Sequence, residues 1–435
     1  MAKKIDEKKA KRVANVAVAA TAGGAAYAAS RKKKKLLIAM LILLVVVIVG
    51  VMIFGYYQGW FDSVLKQPEE NNNGGTNGGN TGGDGTGDNG GGSGSNSGDG
   101  GNGNGSVTVA DMSIHFLELG NNSNGDSIYI KAGDTDILID AGSSTGSAAT
   151  IEKYVDQYCT DGKLEYVIAT HADTDHIAAF VGTTKIPGIF DYYECETIIQ
   201  FARTGKSTNI LKDFEAKRDA EVAAGAKCYT ALDCVKEVNG AKKVYDIADG
   251  ITMEILYQKY YETNTSNEND YSVCVMFTQG ENHYLFLGDL EEAGEKSLVE
   301  NNNLPKVELY KAGHHGSPTS ANEVLLEVIK PEIVCVSCVA GHTEYTQNLA
   351  NTFPSQAFID RIAPYTDKVY VTTEGKIKYN ESTGRWNSDG YLSMNGNIVF
   401  SCIDGVIAVH GSNNDTILKD TEWFKANRTC PSAWQ

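Results

Sequence analysis

Four side chains able to hold a metal ion fall within six residues, His171-Ala172-Asp173-Thr174-Asp175-His176. Apolar residues 166–170 run directly into them, so the block sits at the end of a strand, where a turn can fold the four side chains around a shared centre. Carboxylate oxygens beside imidazole nitrogens suit Zn²⁺, Mn²⁺ or Fe²⁺. A solvated polar turn explains one His beside one Asp; it does not explain His/Asp/Asp/His straight after an apolar strand. Two more pieces complete the set. HYLFLGDL ends in Gly288-Asp289 and places a carboxylate at a strand terminus, where it can bridge two ions, although a Gly-Asp pair alone is only a turn. VELYKAGHHGSPTS then presents His314 and His315 after another strand, followed by glycine and hydroxyls. The sum predicts two mixed nitrogen/oxygen sites for two divalent ions, Zn or Mn, sharing Asp289 and a water.

These residues need a scaffold of strand ends. SIHFLEL, SIYIKA, DILIDAG, LEYVIAT, KCYTAL, ITMEILY, SVCVMFTQ, HYLFLGD, VELYKAG, EIVCVSCV, KVYVTT and NIVFSCI all read as strands, and residues 147–158, 210–224, 321–329 and 355–362 as helices. Strands and helices recur in two similar halves, which predicts an α/β fold with two sheets face to face and helices outside. No glycine-rich phosphate loop follows a strand and no serine-centred elbow occurs, so nucleotide-binding and α/β-hydrolase readings drop out.

Composition divides the chain before this region begins. Residues 1–35 carry 11 Lys or Arg against 2 acids, whereas the remainder carries 27 bases against 53 acids. Residues 36–55, LLIAMLILLVVVIVGVMIFG, are uncharged and as a helix match a hydrocarbon core about 30 Å thick. Basic residues 31–35 precede them, and Tyr56, Tyr57, Trp60 and Phe61 follow, so the positive-inside rule puts the N-terminus in the cytosol and the C-terminal bulk outside. A cleaved signal peptide would end in small residues rather than aromatics. Residues 71–106 hold 17 of the 46 glycines and otherwise only Asn, Asp, Ser and Thr, a flexible tether with a root-mean-square span of roughly 30–35 Å. The expected organisation is a basic cytosolic segment (1–35), one transmembrane helix (36–55), a juxtamembrane segment (56–70), the linker (71–106) and a hydrolase domain (107–435). All nine cysteines lie in that domain. Cys228 with Cys234 is the most plausible local bridge, while Cys335 and Cys338, three apart on one strand, should face opposite sides.

The blocks HFLELGNNSNGDSIYI with DILIDAG, THADTDHIAAF, NDYSVCVMF with LFLGDL, and LYKAGHHGSPTS resemble, in order and spacing, the metallo-β-lactamase superfamily, specifically the extracellular nuclease-like domain of the ComEC/Rec2 competence proteins. The resemblance covers residues 113 to about 411 and implies an αββα sandwich. It implies metal ligation by His171, Asp173, Asp175, His176, Asp289 and His314 or His315, with Asp173 where β-lactamases carry His. Lys311 matches a lysine of that branch and is implied to contact phosphate; Asp140 is expected to fix a turn rather than bind metal. The branch continues with Tyr-Gly-His-Pro, whereas here Tyr345 is followed by an insertion and Phe353-Pro354. The final His ligand is therefore missing, unless His342 serves. His115, His283 and His410 read as structural or solvated, and residues 212–224 as a charged, solvated helix.

The expected function is membrane-anchored, extracellular, metal-dependent hydrolysis of a phosphodiester, DNA or a related polymer, with Asp175, Asp289 and Lys311 as catalytic residues. So acidic a domain has no general pull on nucleic acid, so metal ions must do the holding. The alternatives are a cell-wall phosphoester of phosphorylcholine type, a lactone or lactam, or a metal-poor, non-catalytic binding module. No protein partner is evident.

Overall fold

The computed structural model describes residues 109–435. The basic N-terminus, membrane span, juxtamembrane segment and linker expected before them lie outside the described residues. Among the described residues no helix is long and apolar enough to cross a membrane.

Sixteen strands among the described residues build two eight-stranded sheets. The first contains β1 (Met112–Phe116), β2 (Ile128–Ala132), β3 (Thr135–Ile139), β4 (Lys163–Ala169), β5 (Glu194–Gln200) and β6 (Lys227–Thr230). The second contains β7 (Val244–Ala248), β8 (Ile251–Leu256), β9 (Cys274–Gln279), β10 (Asn282–Phe286), β11 (Leu309–Lys311), β12 (Ile333–Ala340), β13 (Val369–Asn380) and β14 (Arg385–Ser393). The chain then returns to the first sheet with β15 (Ile398–Ile403) and β16 (Val406–Gly411). Strand orders are β16-β15-β1-β2-β3-β4-β5-β6 and β14-β13-β12-β11-β10-β9-β8-β7. Each sheet is part antiparallel and part parallel, the parallel runs being β3 to β6 and β10 to β13.

Parallel strands covered on both faces must be apolar throughout. β12 shows this most completely, with all eight residues buried. Its two cysteines face opposite ways as expected: Cys335 joins the core between the sheets, Cys338 the core beneath the second helical layer. Ring contacts close the sandwich, Phe116 on Phe286 (6.3 Å), Tyr284 on Phe400 (5.0 Å) and Tyr166 on Tyr245 (5.5 Å between centroids).

The first half supplies α1 (Ala148–Val155), α2 (Thr174–Val181), α3 (Ile189–Tyr192), α4 (Asn209–Ala224) and α5 (Ala231–Lys236). The second half supplies α6 (Glu292–Asn301), α7 (Glu323–Ile329), α8 (Gln356–Ile362) and α9 (Glu422–Asn427). The charged helix expected at 212–224 is α4, but it is not simply a solvated face. Its Phe214 is fully buried and meets Phe180 of α2 at 5.7 Å and Phe190 of α3 at 5.8 Å. The apolar run KCYTAL ends early as a strand because Thr230 caps α5: its hydroxyl accepts from Asp233 N (3.1 Å) while Asp233 accepts from Thr230 N (2.9 Å). Nor is the expected Cys228–Cys234 bridge present. Cys228 and Cys234 are both free thiols, and the Cys234 thiol lies 3.5 Å from the Tyr245 hydroxyl.

Candidate metal centre

Ligand-bearing loops before β2 and after β3, β4, β10 and β11 gather at one edge of the sandwich, the usual place for a site outside the carboxyl ends of parallel strands. After β4, Asp173 occupies the position before α2 in extended geometry, and Asp175 and His176 stand in the first helical turn. That turn is stitched to the loop after β3. Ala141 N donates to His176 O (2.8 Å), Ala179 N to Ala141 O (2.7 Å) and Asp126 N to Asp175 O (3.1 Å). Gly142 is required by this approach, because a Cβ there would stand 1.4 Å from Asp175 O. Asp140 organises the corner: its carboxylate accepts from Thr170 N (2.8 Å) and Oγ1 (2.7 Å) and pairs with His176 Nδ1 (2.8 Å). A carboxylate on Nδ1 leaves Nε2 aimed inward, as metal-binding imidazoles require.

His176 Nε2 lies 3.1 Å from Asp289 Oδ2, and His315 Nε2 lies 3.4 Å from that same oxygen and 3.5 Å from Asp175 Oδ2. Four sets of ligand atoms at this edge each fall within 4.8 Å: His171, His176 and Asp289; Asp175, His176 and His315; Asp126, Asp289 and His315; and Asp126, Asp140 and His176. Asp126 Oδ1, Asp289 Oδ1, His171 Nε2 and His315 Nε2 are buried without hydrogen-bond partners. Leaving a buried polar atom unpaired costs about 1–3 kcal/mol. Orphaned atoms on mixed nitrogen/oxygen donors, converging at one place, fit divalent cations.

The charge balance points the same way. Asp126, Asp140 and Asp289 are buried with Lys311 as their one permanent cation. Burial alone would depress His176 and His315, but Asp289, with Asp140 at His176 and Asp126 at His315, outweighs it; His176 is held well above the imidazole range and His315 is raised to about 10. Burial opposes ionisation of Asp289 and Asp126, yet His176 and His315 for the former, and Lys311 and His315 for the latter, hold both carboxyls below the usual range. His171 is driven far below the imidazole range by burial and by His176, leaving its Nε2 a free donor pair.

The structure thus brings together His171, Asp175, His176, Asp289 and His315 of the expected residues. It does not bring in His314. His314 and His315 both have left-handed backbone (φ 43° and 55°), and their rings diverge; His314 Nδ1 sits 3.0 Å from Glu291 Oε1 and 3.3 Å from Thr319 Oγ1. Asp173 stands at the margin, Oδ1 on Lys206 Nζ (2.5 Å) and Oδ2 3.8 Å from His171 Nε2. Lys311 is fully buried, with Nζ 2.5 Å from Asp126 and donating to Gly288 O (3.0 Å), so it balances charge and the expected phosphate contact is not available to it. His342 belongs to none of these ligand sets and has Glu344 3.8 Å away. Phe353, near where the final His is missing, packs on His314 (5.5 Å), His315 (6.1 Å) and Tyr345 (5.5 Å). His115 is buried against Tyr154 and Ser113, His283 bonds Thr278, and His410 is exposed beside Asp415.

Sequence reasoning overlooked Asp126 and Tyr345. Gly125-Asp126 directly precedes an apolar strand, a mirror of Gly288-Asp289 after one, and that symmetry was the available signal. Tyr345 OH donates to Asp175 Oδ2 at 2.7 Å. Tyr345 is 53% exposed, yet partial desolvation of its hydroxyl and the Asp175 carboxylate both disfavour its phenolate, so Tyr345 remains a donor at neutral pH.

A family model described as the metallo-beta-lactamase superfamily matches residues 120–189, the stretch that contains Asp126, Asp140 and the whole His171–His176 block. The chain is similar to Recombination protein 2 of Haemophilus influenzae, 28% identical over 117 residues, covering 27% of this chain and 14% of that protein. It is also similar to ComE operon protein 3 of Bacillus subtilis, 25% identical over 220 residues, covering 50% of this chain and 24% of that protein. The chain thus spans a quarter or less of the curated relatives it matches. Among solved structures, a metallo-beta-lactamase fold protein from Bacillus subtilis aligns over 60% of this chain and 95% of its own, with 11% identity and a TM-score of 0.36.

Proposed function

We propose, from the premise that residues 120–189 carry a metallo-beta-lactamase superfamily domain related to ComEC-type proteins, that this chain is a metal-dependent phosphodiester hydrolase. The observation that carries the reading is the convergence of His171, His176, His315, Asp126, Asp175 and Asp289 with buried donor atoms left unpaired. Divalent ions bound there would supply a water of lowered pKa and neutralise charge on phosphoryl oxygens. The chain's own part is positional. Asp140 fixes the His176 ring; Asp289, between His176 and His315, would be among the residues that hold the ions. Tyr345 pins Asp175 Oδ2, and Asp175, held low by His315 and His176 against the effect of burial, serves as an anionic ligand in preference to a strong base. Residues 36–55 would anchor the chain in a membrane, with 71–106 as the tether and the hydrolase domain outside, acting on DNA or another phosphodiester.

Two observations favour a second reading. Lys311 already places a permanent positive charge on Asp126, and Phe353 stands where the branch pattern has a His, which suits a metal-poor binding module. Metal analysis of the purified protein with a bis-p-nitrophenyl phosphate assay decides between them. One or two ions per chain with chelator-sensitive turnover supports the hydrolase; less than one ion and no turnover supports the module.

A further inference from the structure

Beside the metal centre opens a polar cavity of about 340 Å³, lined by Asp173, Gly205, Lys206 and residues of the 265–269 loop. Lys206 is the only base among these lining residues. Lys206 is exposed, but its ammonium is held by Asp173 and its loop is fastened on both sides. Arg203 donates to Asn264 Oδ1 (2.5 Å) and Glu262 O (3.3 Å). Thr204 Oγ1 and Gly205 N donate to the two oxygens of Glu268 (2.5 and 2.7 Å), and Lys206 N bonds back to Thr204 Oγ1 (2.9 Å). Glu268, which lines the cavity with Asp173, is thereby engaged by Thr204 and Gly205.

The ammonium lies 2.5 Å from Asp173 Oδ1, while Asp173 Oδ2 turns toward His171 Nε2 at 3.8 Å. Lys206 is therefore one carboxylate removed from the centre and faces the cavity. A lysine ammonium has three donors. Asp173 takes one, and two remain for an incoming anion. Residues 36–435 carry 53 acids against 27 bases, so an anionic substrate finds little general attraction and a fixed cation at the mouth counts heavily.

We propose that Lys206 is the substrate-binding residue for the phosphate, contacting a non-bridging oxygen of a phosphodiester whose polar flanking group lies in the cavity. This rests on the phosphodiesterase reading. The cavity has room for a group of nucleoside or sugar size. Its Thr265, Ser266, Asn267 and Asn269 lining suits a hydroxylated or heterocyclic group and disfavours a lipid tail.

The test titrates inorganic phosphate into the full chain at saturating Mn²⁺ by calorimetry, comparing the parent with Lys206→Ala and Lys206→Arg, and measures bound metal in each. Phosphate affinity should fall at least tenfold in Lys206→Ala and stay within threefold in Lys206→Arg, with metal content unchanged. With bis-p-nitrophenyl phosphate, Lys206→Ala should raise KM more than it lowers kcat. Unchanged phosphate affinity overturns the assignment, as does a loss of metal that accounts for the lost affinity, because Lys206 would then only support Asp173. Absence of turnover in the parent would sink the phosphodiesterase reading, while the phosphate titration would still judge Lys206.

Discussion

Lys311 is fully buried with its ammonium 2.5 Å from Asp126 and 3.6 Å from Asp289, so Lys311→Met removes the sole permanent cation from an acidic cluster. Breaking a buried ion pair by deleting one partner costs ~3–5 kcal/mol. The lower end applies here, because His315 Nδ1 (3.5 Å) and His176 Nδ1 (3.7 Å) also face Asp126 and can carry compensating protons. We expect about 3 kcal/mol lost in chelator, measured by urea unfolding. Asp126→Asn combined with Lys311→Met should recover part of it, giving a coupling energy above roughly 1 kcal/mol. Divalent ions should then stabilise Lys311→Met more than the parent, since a bound cation replaces the missing charge on Asp126. A variant within about 1 kcal/mol of the parent in chelator, or equal stabilisation of both by ions, would refute the charge-balance role of Lys311 and leave the centre's electrostatics misread.

Asp175→Ala should abolish phosphodiesterase turnover with folding retained by circular dichroism, and Tyr345→Phe, losing a 2.7 Å hydrogen bond to a carboxylate, should lower kcat roughly tenfold. Gly142→Ala drives a methyl into Asp175 O and should cost the protein its metal content or its soluble fold, read by metal analysis of whatever is recovered. Glu295 is buried, and although Asn322 and Ala321 donate to it, burial raises its pKa from 4.5 to about 7. The folded state therefore binds the proton more tightly than the unfolded chain. The associated stability is complete below pH ~4.5 and is lost as pH rises through ~7, a loss of roughly 3 kcal/mol. Glu295→Gln should flatten the stability profile over that window; a constant offset between variant and parent would contradict the assignment.

What could be read in the chain was whatever lay at the end of an apolar strand. His171, His176, Asp289 and His315 follow β4, β10 and β11 directly, and the apolar runs that mark those strands locate the residues as well. Asp126 escaped because it stands at the start of β2, and only the antiparallel return of β2 along β1 and β3 carries that start to the ligand edge. Asp173 was grouped with the centre as one of four ligand types in six residues, and His314 stood as the alternative to His315. A turn entering α2 separates Asp173 from His176, and two successive left-handed residues divide His314 from His315. β5, β7, β14 and β16 were not read as strands; the last three lie at sheet edges, and β14 is so largely exposed that it leaves no apolar alternation to read. The expectations for residues 1–106 rest on composition and hydropathy alone.

The opposed thiols of β12 have a use beyond architecture. Cys335 reports on the space between the sheets and Cys338 on the space under the helices, yet they sit on one strand and share its backbone protection. Pulsed alkylation in rising denaturant, with each cysteine located by mass spectrometry, would time the two openings against each other. If the helical layer peels away before the sandwich splits, Cys338 will be labelled ahead of Cys335, and the protein will carry its own internal clock for the order of unfolding.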